Sequence, residues 1–175
     1  LTIGPGTIVK FTDGAGLDVQ PNARLLAEGN AAQPIVFTSV RDDSAGGDTN
    51  GDGPSSADAG DWRSLRLDQA TGTFAHCEFR FGGNSEFNIW GAGGMLEIHE
   101  STTTFDRCVL RDSLKDGVIA DGVTEMRNCL LTGNDRAVNG YPGGAIDLIN
   151  VTVDNSRIGL VGHGGTLNAA NTIVS

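Results

Sequence analysis

The residues of this sequence with the clearest capacity for chemistry lie in an acidic stretch, residues 41–62. Within it, the string DTNGDG places oxygen-bearing side chains at Asp48, Asn50 and Asp52, followed by Gly53. These residues match positions 1, 3, 5 and 6 of an EF-hand-type calcium loop, in which alternate residues of a tight turn direct oxygen ligands at one ion. The sequence therefore predicts a structural calcium ion that orders this stretch.

The match to the calcium loop departs from the motif at its twelfth position, where Ala59 stands in place of the bidentate glutamate. Asp58 or Asp61 is expected to complete the shell of oxygen ligands. The alternative is a solvated acidic insertion in which Asn, Gly and Asp serve as turn residues. Because six aspartates share this stretch with a single arginine, Arg41, their mutual repulsion favours a bound cation.

A second set of candidate residues is predicted at the corners of a repeating structure. His99 or Glu100, Asp121, Tyr141 and His163 are expected to occupy equivalent places in successive repeats. Such a row can supply general acids and bases to a bound sugar, which makes these residues candidates for catalysis. Unlike polar side chains are also what any solvated edge shows, and we favour that interpretation.

The elements that must position these side chains are predicted by an internal repeat of roughly 22 residues. Three segments align without gaps at their centres, namely TFDRCVLRDSLKDGV, EMRNCLLTGNDRAV and DLINVTVDNSRIGL. Cys108 and Cys129 are 21 residues apart, and a further 22 residues lead to Val151. Cys77 takes the same place one repeat earlier, with ten extra residues that we assign to an extended turn in GNSEFNIWGAGG.

The alternation of residue types predicts which side chains face the interior. Successive strand residues point to opposite faces, so Cys108 and Leu110 share one face, and Cys129 and Leu131 share the equivalent face one repeat later. Stacked repeats would place like residues over like residues and build a continuous core. A second strand is predicted after the turn of each repeat, at Val118 to Ala120, Ala137 to Asn139 and Gly159 to Val161.

The fold class that follows is all-β, a right-handed single-stranded parallel β-helix of about seven coils with one long acidic loop insertion. An alternating βα sheet is disfavoured because no amphipathic helical stretch of about ten residues occurs. An antiparallel sandwich would explain the short strands, but it would not explain a register that persists through successive repeats.

Two columns of like residues are expected to be structural. Cys77, Cys108 and Cys129 are predicted to be small buried thiols, with disulfides between neighbouring coils as the alternative and metal ligation the least favoured. The amides of Asn128, Asn150 and Asn171, one position earlier, are expected to hydrogen-bond to one another from coil to coil.

The first third of the chain also carries a family resemblance. LTIGPGTIVKF, followed by LLAEG, QPIVFTS and GDW before RSLRL, resembles the opening coils of bacterial secreted right-handed β-helix proteins, the pectate-lyase-like superfamily in its broad sense. The resemblance implies the fold. It implies little about activity, because that superfamily holds lyases, hydrolases, adhesins, tailspikes and surface proteins without known catalysis.

No residue set matches the catalytic motifs of pectate lyases or polygalacturonases. An outward row of His76 and Arg107, with Arg127 beside it and the carboxylates of Glu78 and Asp106 nearby, is a further candidate group. A lyase of uronic acids needs a base together with a cation or calcium, and a sugar hydrolase usually needs two carboxyl groups. Whether the protein is an enzyme is therefore left open.

Composition limits the functions that the chain can have. The formal net charge of −10 argues against binding to nucleic acid or to anionic membranes, and no apolar run is long enough to span a membrane. We expect a single domain over residues 1–175 with the loop 41–62 inserted, cut from a longer protein with neighbouring domains.

These observations together favour an extracellular or cell-surface scaffold or binding module. Its calcium-stabilised loop would brace the fold, and its ligand would be a carbohydrate or a surface partner. The alternative is a polysaccharide lyase or glycoside hydrolase that acts on the outer face. The sequence leaves the ligand, the oligomeric state and the parent protein undetermined.

Overall fold

The structure, a computed structural model, describes residues 1–85 and 93–175 as twenty β-strands arranged in three parallel sheets. Within these residues there is no helix, so none is present that is long and apolar enough to cross a membrane. The predicted all-β parallel architecture is confirmed. Part of the extended turn predicted in GNSEFNIWGAGG, residues 86–92, lies outside the described residues.

Each sheet is built from every third strand of the chain, in sequence order. The first sheet contains β1 (Thr2–Ile3), β4 (Arg24–Glu28), β7 (Thr71–Ala75), β10 (Thr102–Asp106), β13 (Val123–Arg127), β16 (Ala145–Ile149) and β19 (Thr166–Ala170). The second contains β2 (Ile8–Phe11), β5 (Ile35–Ser39), β8 (Cys77–Arg80), β11 (Val109–Arg111), β14 (Leu130–Thr132), β17 (Thr152–Asp154) and β20 (Ile173–Val174). The third contains β3 (Leu17–Val19), β6 (Leu65–Asp68), β9 (Gly94–His99), β12 (Asp116–Ala120), β15 (Arg136–Gly140) and β18 (Ile158–Gly162).

One repeat therefore consists of three short strands, one from each sheet. This pairing of strands three places apart is consistent with a parallel β-helix or solenoid. A single repeat has too little apolar surface to form a core, so the stacking of repeats supplies it. The strand predicted after the polar turn of each repeat is present in the third sheet, as β12, β15 and β18. The segment before that turn was expected to be one strand, whereas the structure divides it into a strand of the first sheet and a strand of the second.

The core is made of apolar columns that run across the sheets. In the second sheet, Phe37, Phe79, Leu110, Leu131 and Val153 lie in register and are fully buried. The rings of the first two residues stack with centroids 4.7 Å apart. The predicted inward faces are confirmed by these columns.

The three cysteines occupy one such column and are free, buried thiols. The Cys77 thiol donates to the backbone oxygen of Ala27 at 3.2 Å, and the Cys129 thiol donates to that of Arg127 at the same distance. Their predicted role as small buried residues is confirmed, and they form no disulfide with one another.

In the last five repeats, a single residue in the left-handed backbone region turns the chain from the first sheet into the second. These turn residues are His76, Arg107, Asn128, Asn150 and Asn171, with φ between 49° and 55°. Asparagine adopts this conformation more readily than most residues, which accounts for its recurrence. The predicted amide column is present in part, because the Asn150 side chain donates to Asn128 Oδ1 at 3.4 Å.

The acidic stretch emerges between β5 and β6 and contains no strand. Its first turn is fixed by Asp42, which accepts hydrogen bonds from Thr38 and Ser44 at 2.6 Å and pairs with Arg80 at 2.6 Å. Its end is fixed by Trp62, which is fully buried and donates its indole N–H to the backbone oxygen of Arg80. The insertion is thus clamped to the core at both ends.

Candidate functional site

The four predicted corner residues do occupy equivalent positions. Ile98, Ala120, Gly140 and Gly162 pair in register across the third sheet, and the residue that follows each of them is respectively His99, Asp121, Tyr141 and His163. The backbone N–H groups of Asp121, Tyr141 and His163 donate to the backbone oxygens of Ile98, Ala120 and Gly140, respectively, at 2.8 to 3.0 Å. We call this set, together with Asp68, the corner column.

Asp68 belongs to the corner column because it pairs in register with His99. Its place in the column was not expected from the sequence, since Asp68 and His99 are 31 residues apart rather than about 22. The same surplus had been recognised between Cys77 and Cys108, so carrying that offset across the repeat would have revealed Asp68.

His99 is the best-organised side chain of the corner column. Its Nδ1 lies 2.8 Å from Asp121 Oδ2, and its Nε2 lies 3.9 Å from Asp68 Oδ1. The Asp121 side chain is only 6% exposed, and its other oxygen accepts the backbone N–H of Glu100 at 2.9 Å. The carboxylate is therefore fixed by the backbone, and it fixes the imidazole in turn.

An open groove of about 580 Å³ lies along this part of the corner column. Glu100, on its wall, accepts a hydrogen bond from the Gln69 side chain at 2.8 Å. The groove spans three successive repeats, so residues remote in sequence meet on one surface. Its lining comprises His99, Glu100, Ser101, Thr102, Asp121, Gly122, Val123, Pro142 and Gly143.

The next part of the corner column is aromatic. The rings of Tyr141 and His163 stack with centroids 4.7 Å apart and planes inclined by 29°. A second groove of about 250 Å³ begins at Tyr141 and lies between two glycine-rich turns, with Gly144 on one and Gly164 and Gly165 on the other. Two concave surfaces therefore follow each other along the same edge of the stack.

This arrangement provides hydrogen-bonding groups, a carboxylate-oriented imidazole and aromatic surface in one row. Concave sites with a few fixed polar groups beside apolar or aromatic surface are typical of small-molecule binding. A histidine held by a carboxylate is also able to transfer protons when a substrate places a suitable atom within reach. Binding requires only the hydrogen-bonding groups and the aromatic surface, whereas catalysis also requires the carboxylate-oriented imidazole.

The predicted calcium ligands fall into two turns of the acidic stretch. In the first turn, both carboxylate oxygens of Asp48 accept backbone N–H groups, from Gly51 at 2.6 Å and from Gly53 at 3.0 Å. The Asn50 side-chain amide donates to Asp52 Oδ2 at 2.8 Å. Asp48, Asn50 and Asp52 therefore share one tight turn, as the motif predicts.

The second turn holds the two aspartates that were expected to complete the shell. The backbone N–H of Asp58 donates to Asp61 Oδ2 at 3.3 Å, while Asp61 Oδ1 pairs with Arg41 at 3.2 Å. In residues 1–85 and 93–175, no three His, Cys, Asp or Glu side chains are arranged to hold a metal ion. Asp48, Asn50 and Asp52 fit a calcium loop in part, and Asp61 is engaged by an arginine instead.

The further outward group forms local ion pairs. Arg107 pairs with Asp106, which neighbours it in sequence, and Arg127 donates to Glu125 at 2.6 Å. Glu78 accepts from Arg111 at 2.7 Å and from Arg80 at 3.0 Å, and Arg80 in turn pairs with Asp42 of the inserted stretch. The charged members of this group are therefore engaged in ion pairs with one another and with their neighbours.

Comparisons with protein-family models, with curated proteins and with solved structures return no match for this chain. The geometry of the corner column and its grooves is therefore the basis on which we infer a function.

Proposed function

We propose that this chain is a rigid scaffold and binding module, located outside the cell or at its surface, that binds carbohydrate along the corner column. The observation that carries the proposal is the pair of grooves that follow one another along a single edge of the stack. A linear polymer lying parallel to the stacking direction would meet a new set of side chains at every repeat.

The proposal includes the finer architecture, a right-handed single-stranded parallel β-helix of about seven coils. Sheets of seven, seven and six strands support the number of coils. Crossover connections between parallel strands of one sheet are right-handed in nearly all proteins, which supports the hand. The resemblance to secreted pectate-lyase-like proteins is in keeping with this architecture and with an extracellular location.

The charge of the residues that line the larger groove indicates which class of carbohydrate it can bind. Of the nine described residues that line the larger groove, Glu100 and Asp121 are acidic and none is lysine or arginine. Acidic sugars such as uronates would meet like charge at this surface. We therefore propose neutral sugars or amino sugars as the ligand class.

The proposal is tested by measuring the affinity of neutral, amino and uronic oligosaccharides by titration calorimetry. Tyr141→Ala and Asp121→Asn should each weaken binding about tenfold or more, which corresponds to about 1.4 kcal/mol. Thr104→Ala, an exposed change on the first sheet, is the matched control and should leave affinity unchanged. Equal binding by all three variants, or no binding by any sugar class, would reject the groove as the site.

A polysaccharide lyase or glycoside hydrolase is the alternative, and the pairing of His99 with Asp121 is the observation that favours it. An enzyme should release new reducing ends, and a lyase should also release unsaturated products that absorb in the ultraviolet. His99→Gln should abolish release while oligosaccharide binding persists. Sugar binding by the wild-type protein without product would favour the module.

We also propose that calcium orders the acidic stretch through Asp48, Asn50 and Asp52. Hard oxygen ligands on alternate residues of a glycine turn support this assignment. Calorimetry with calcium should show heat of binding that Asp48→Ala and Asp52→Ala remove, together with a calcium-dependent rise in melting temperature. Thr104→Ala should keep both effects. Unchanged heat and melting temperature in the two aspartate variants would refute the site.

A further inference from the structure

The turn of Asp48 to Gly53 brings together the atoms needed for a spontaneous covalent change. Asn50 is followed by Gly51, and both are exposed. No atom outside the immediate chain neighbours lies within 4 Å of the place where a Gly51 Cβ would be. Because Gly51 carries no Cβ and the space beside its Cα is open, little steric bulk of its own opposes the approach of its backbone nitrogen to the side-chain amide of Asn50.

A base stands next to that nitrogen. Asp48 Oδ1 accepts the Gly51 N–H at 2.6 Å, and Asp52 Oδ2 accepts the Asn50 amide N–H at 2.8 Å. One carboxylate is placed to remove the proton from the attacking atom, while the other orients the amide that is attacked. Positioned bases and nucleophiles accelerate reactions by general base catalysis and by proximity.

We propose that Asn50 is a site of spontaneous deamidation and that Asp48 promotes the reaction as a general base. The Gly51 nitrogen attacks Asn50 Cγ and passes its proton to Asp48. The Cγ–Nδ2 bond then breaks, and ammonia leaves with that proton. The resulting succinimide is opened by water at either carbonyl, which yields aspartate or isoaspartate. The net reaction consumes one water, releases one ammonium ion and adds one negative charge to the loop.

The chain contains its own control in a second Asn-Gly pair. Asn139 is fully buried, and its amide donates to Asp116 Oδ2 at 2.6 Å. Asn139 and Gly140 belong to β15, which is hydrogen-bonded to β12 and β18 on its two sides. The extended strand and its partners prevent the ring closure that a succinimide requires. The folded protein should therefore be modified at Asn50 and spared at Asn139.

The test is incubation of the folded protein at mildly alkaline pH with a calcium chelator, which keeps Asp48 free of the proposed ion, followed by peptide mapping by mass spectrometry. The peptide with Asn50 should gain the mass of one deamidation and contain isoaspartate, while the peptide with Asn139 stays unchanged. In denaturant, both peptides should be modified. Modification of Asn139 at the same rate as Asn50 in the folded protein, or no modification of Asn50, would overturn the proposal.

The role of Asp48 is tested separately. Asp48→Asn should slow the reaction at Asn50 roughly tenfold, since positioned bases commonly contribute at least that factor. Asp58→Asn, a change in the neighbouring turn of the same acidic stretch, is the matched control and should leave the rate unaltered. An unchanged or faster rate in Asp48→Asn would remove the base from the mechanism.

Discussion

Two buried aspartates in this protein have pKa values displaced in opposite directions. Burial alone would raise the pKa of Asp42, but hydrogen bonds from Ser44 and Thr38 and the charge of Arg80 lower it below the ordinary value. Burial raises the pKa of Asp116, and the hydrogen bonds from Asn139 and Arg136 and the charge of Arg136 offset this only in part. The difference reflects the balance at each carboxylate between burial and its hydrogen-bond donors and charged neighbours.

The two aspartates should therefore affect stability with opposite dependence on pH. A lowered pKa adds stability above the ordinary value of 3.8 that is lost as pH falls, so Asp42→Asn should cost more at neutral pH than in acid. A raised pKa removes stability as pH rises from 3.8 towards the raised value, so the cost of Asp116→Asn should shrink over that higher interval. Urea unfolding at pH values below and above 3.8 measures both costs, and trends of the same sign for the two variants would contradict the assignment.

The corner column shows what residue types and spacing could reveal about the candidate site. His99, Asp121, Tyr141 and His163 were placed in equivalent corners from the repeat alone, because the steps between them stay close to 22 residues. The contact of His99 with Asp121 and the stacking of Tyr141 on His163 depend on side-chain conformation, which spacing does not determine. Asp68 was hidden by the longer step that precedes His99.

At the scale of the element, a single left-handed residue turns the chain from the first sheet into the second. The sequence shows that Asn recurs there, and we expected stacked side-chain amides to be the reason. A left-handed backbone selects asparagine as well, so the recurrence alone does not distinguish the two explanations. One side-chain hydrogen bond, from Asn150 to Asn128, links members of the column, whereas positive φ is common to the turn residues of the last five repeats. Backbone conformation is therefore the main reason for the asparagines. The corner also escaped notice as a boundary, since neither glycine nor proline marks it.

Substitutions at Asn150 should separate these two explanations. Asn150→Val should cost about 1–2 kcal/mol of unfolding free energy, because a side chain branched at Cβ disfavours the left-handed region. Asn150→Gly should cost less, although it removes the amide just as completely. Thr152→Val, on the neighbouring strand β17, is a control expected to change stability by no more than about 0.5 kcal/mol. Equal losses of unfolding free energy for Asn150→Gly and Asn150→Val in urea would favour the hydrogen bond between the side-chain amides as the reason for asparagine.

For the whole molecule, stability is expected to depend on position along the stack. In a solenoid, each repeat is stabilised by its neighbours, so a central repeat contributes to two interfaces. Leu131 is fully buried in β14 between β11 and β17, whereas Leu167 in β19 is only partly buried. The same chemical change should have different consequences at these two positions.

Leu131→Ala should reduce the free energy of unfolding by about 2–5 kcal/mol, since it opens a cavity in a closed core. Leu167→Ala should cost clearly less, because part of its surface is already in contact with solvent. Guanidinium unfolding followed by far-ultraviolet circular dichroism measures both. A larger loss at Leu167 would mean that the stack does not behave as a series of repeats coupled to their neighbours.

The pairing of strands three places apart also determines how the molecule would respond to tension. Force applied between Leu1 and Ser175 would load the outermost strands of the stack first, and their hydrogen bonds would open one after another rather than together. Each detached repeat of about 22 residues would lengthen the tether by roughly 75 Å, and the two longer repeats, which contain the acidic stretch and the extended turn, would lengthen it by more. Extension under an optical trap would then proceed as a series of separate increments rather than as one cooperative rupture.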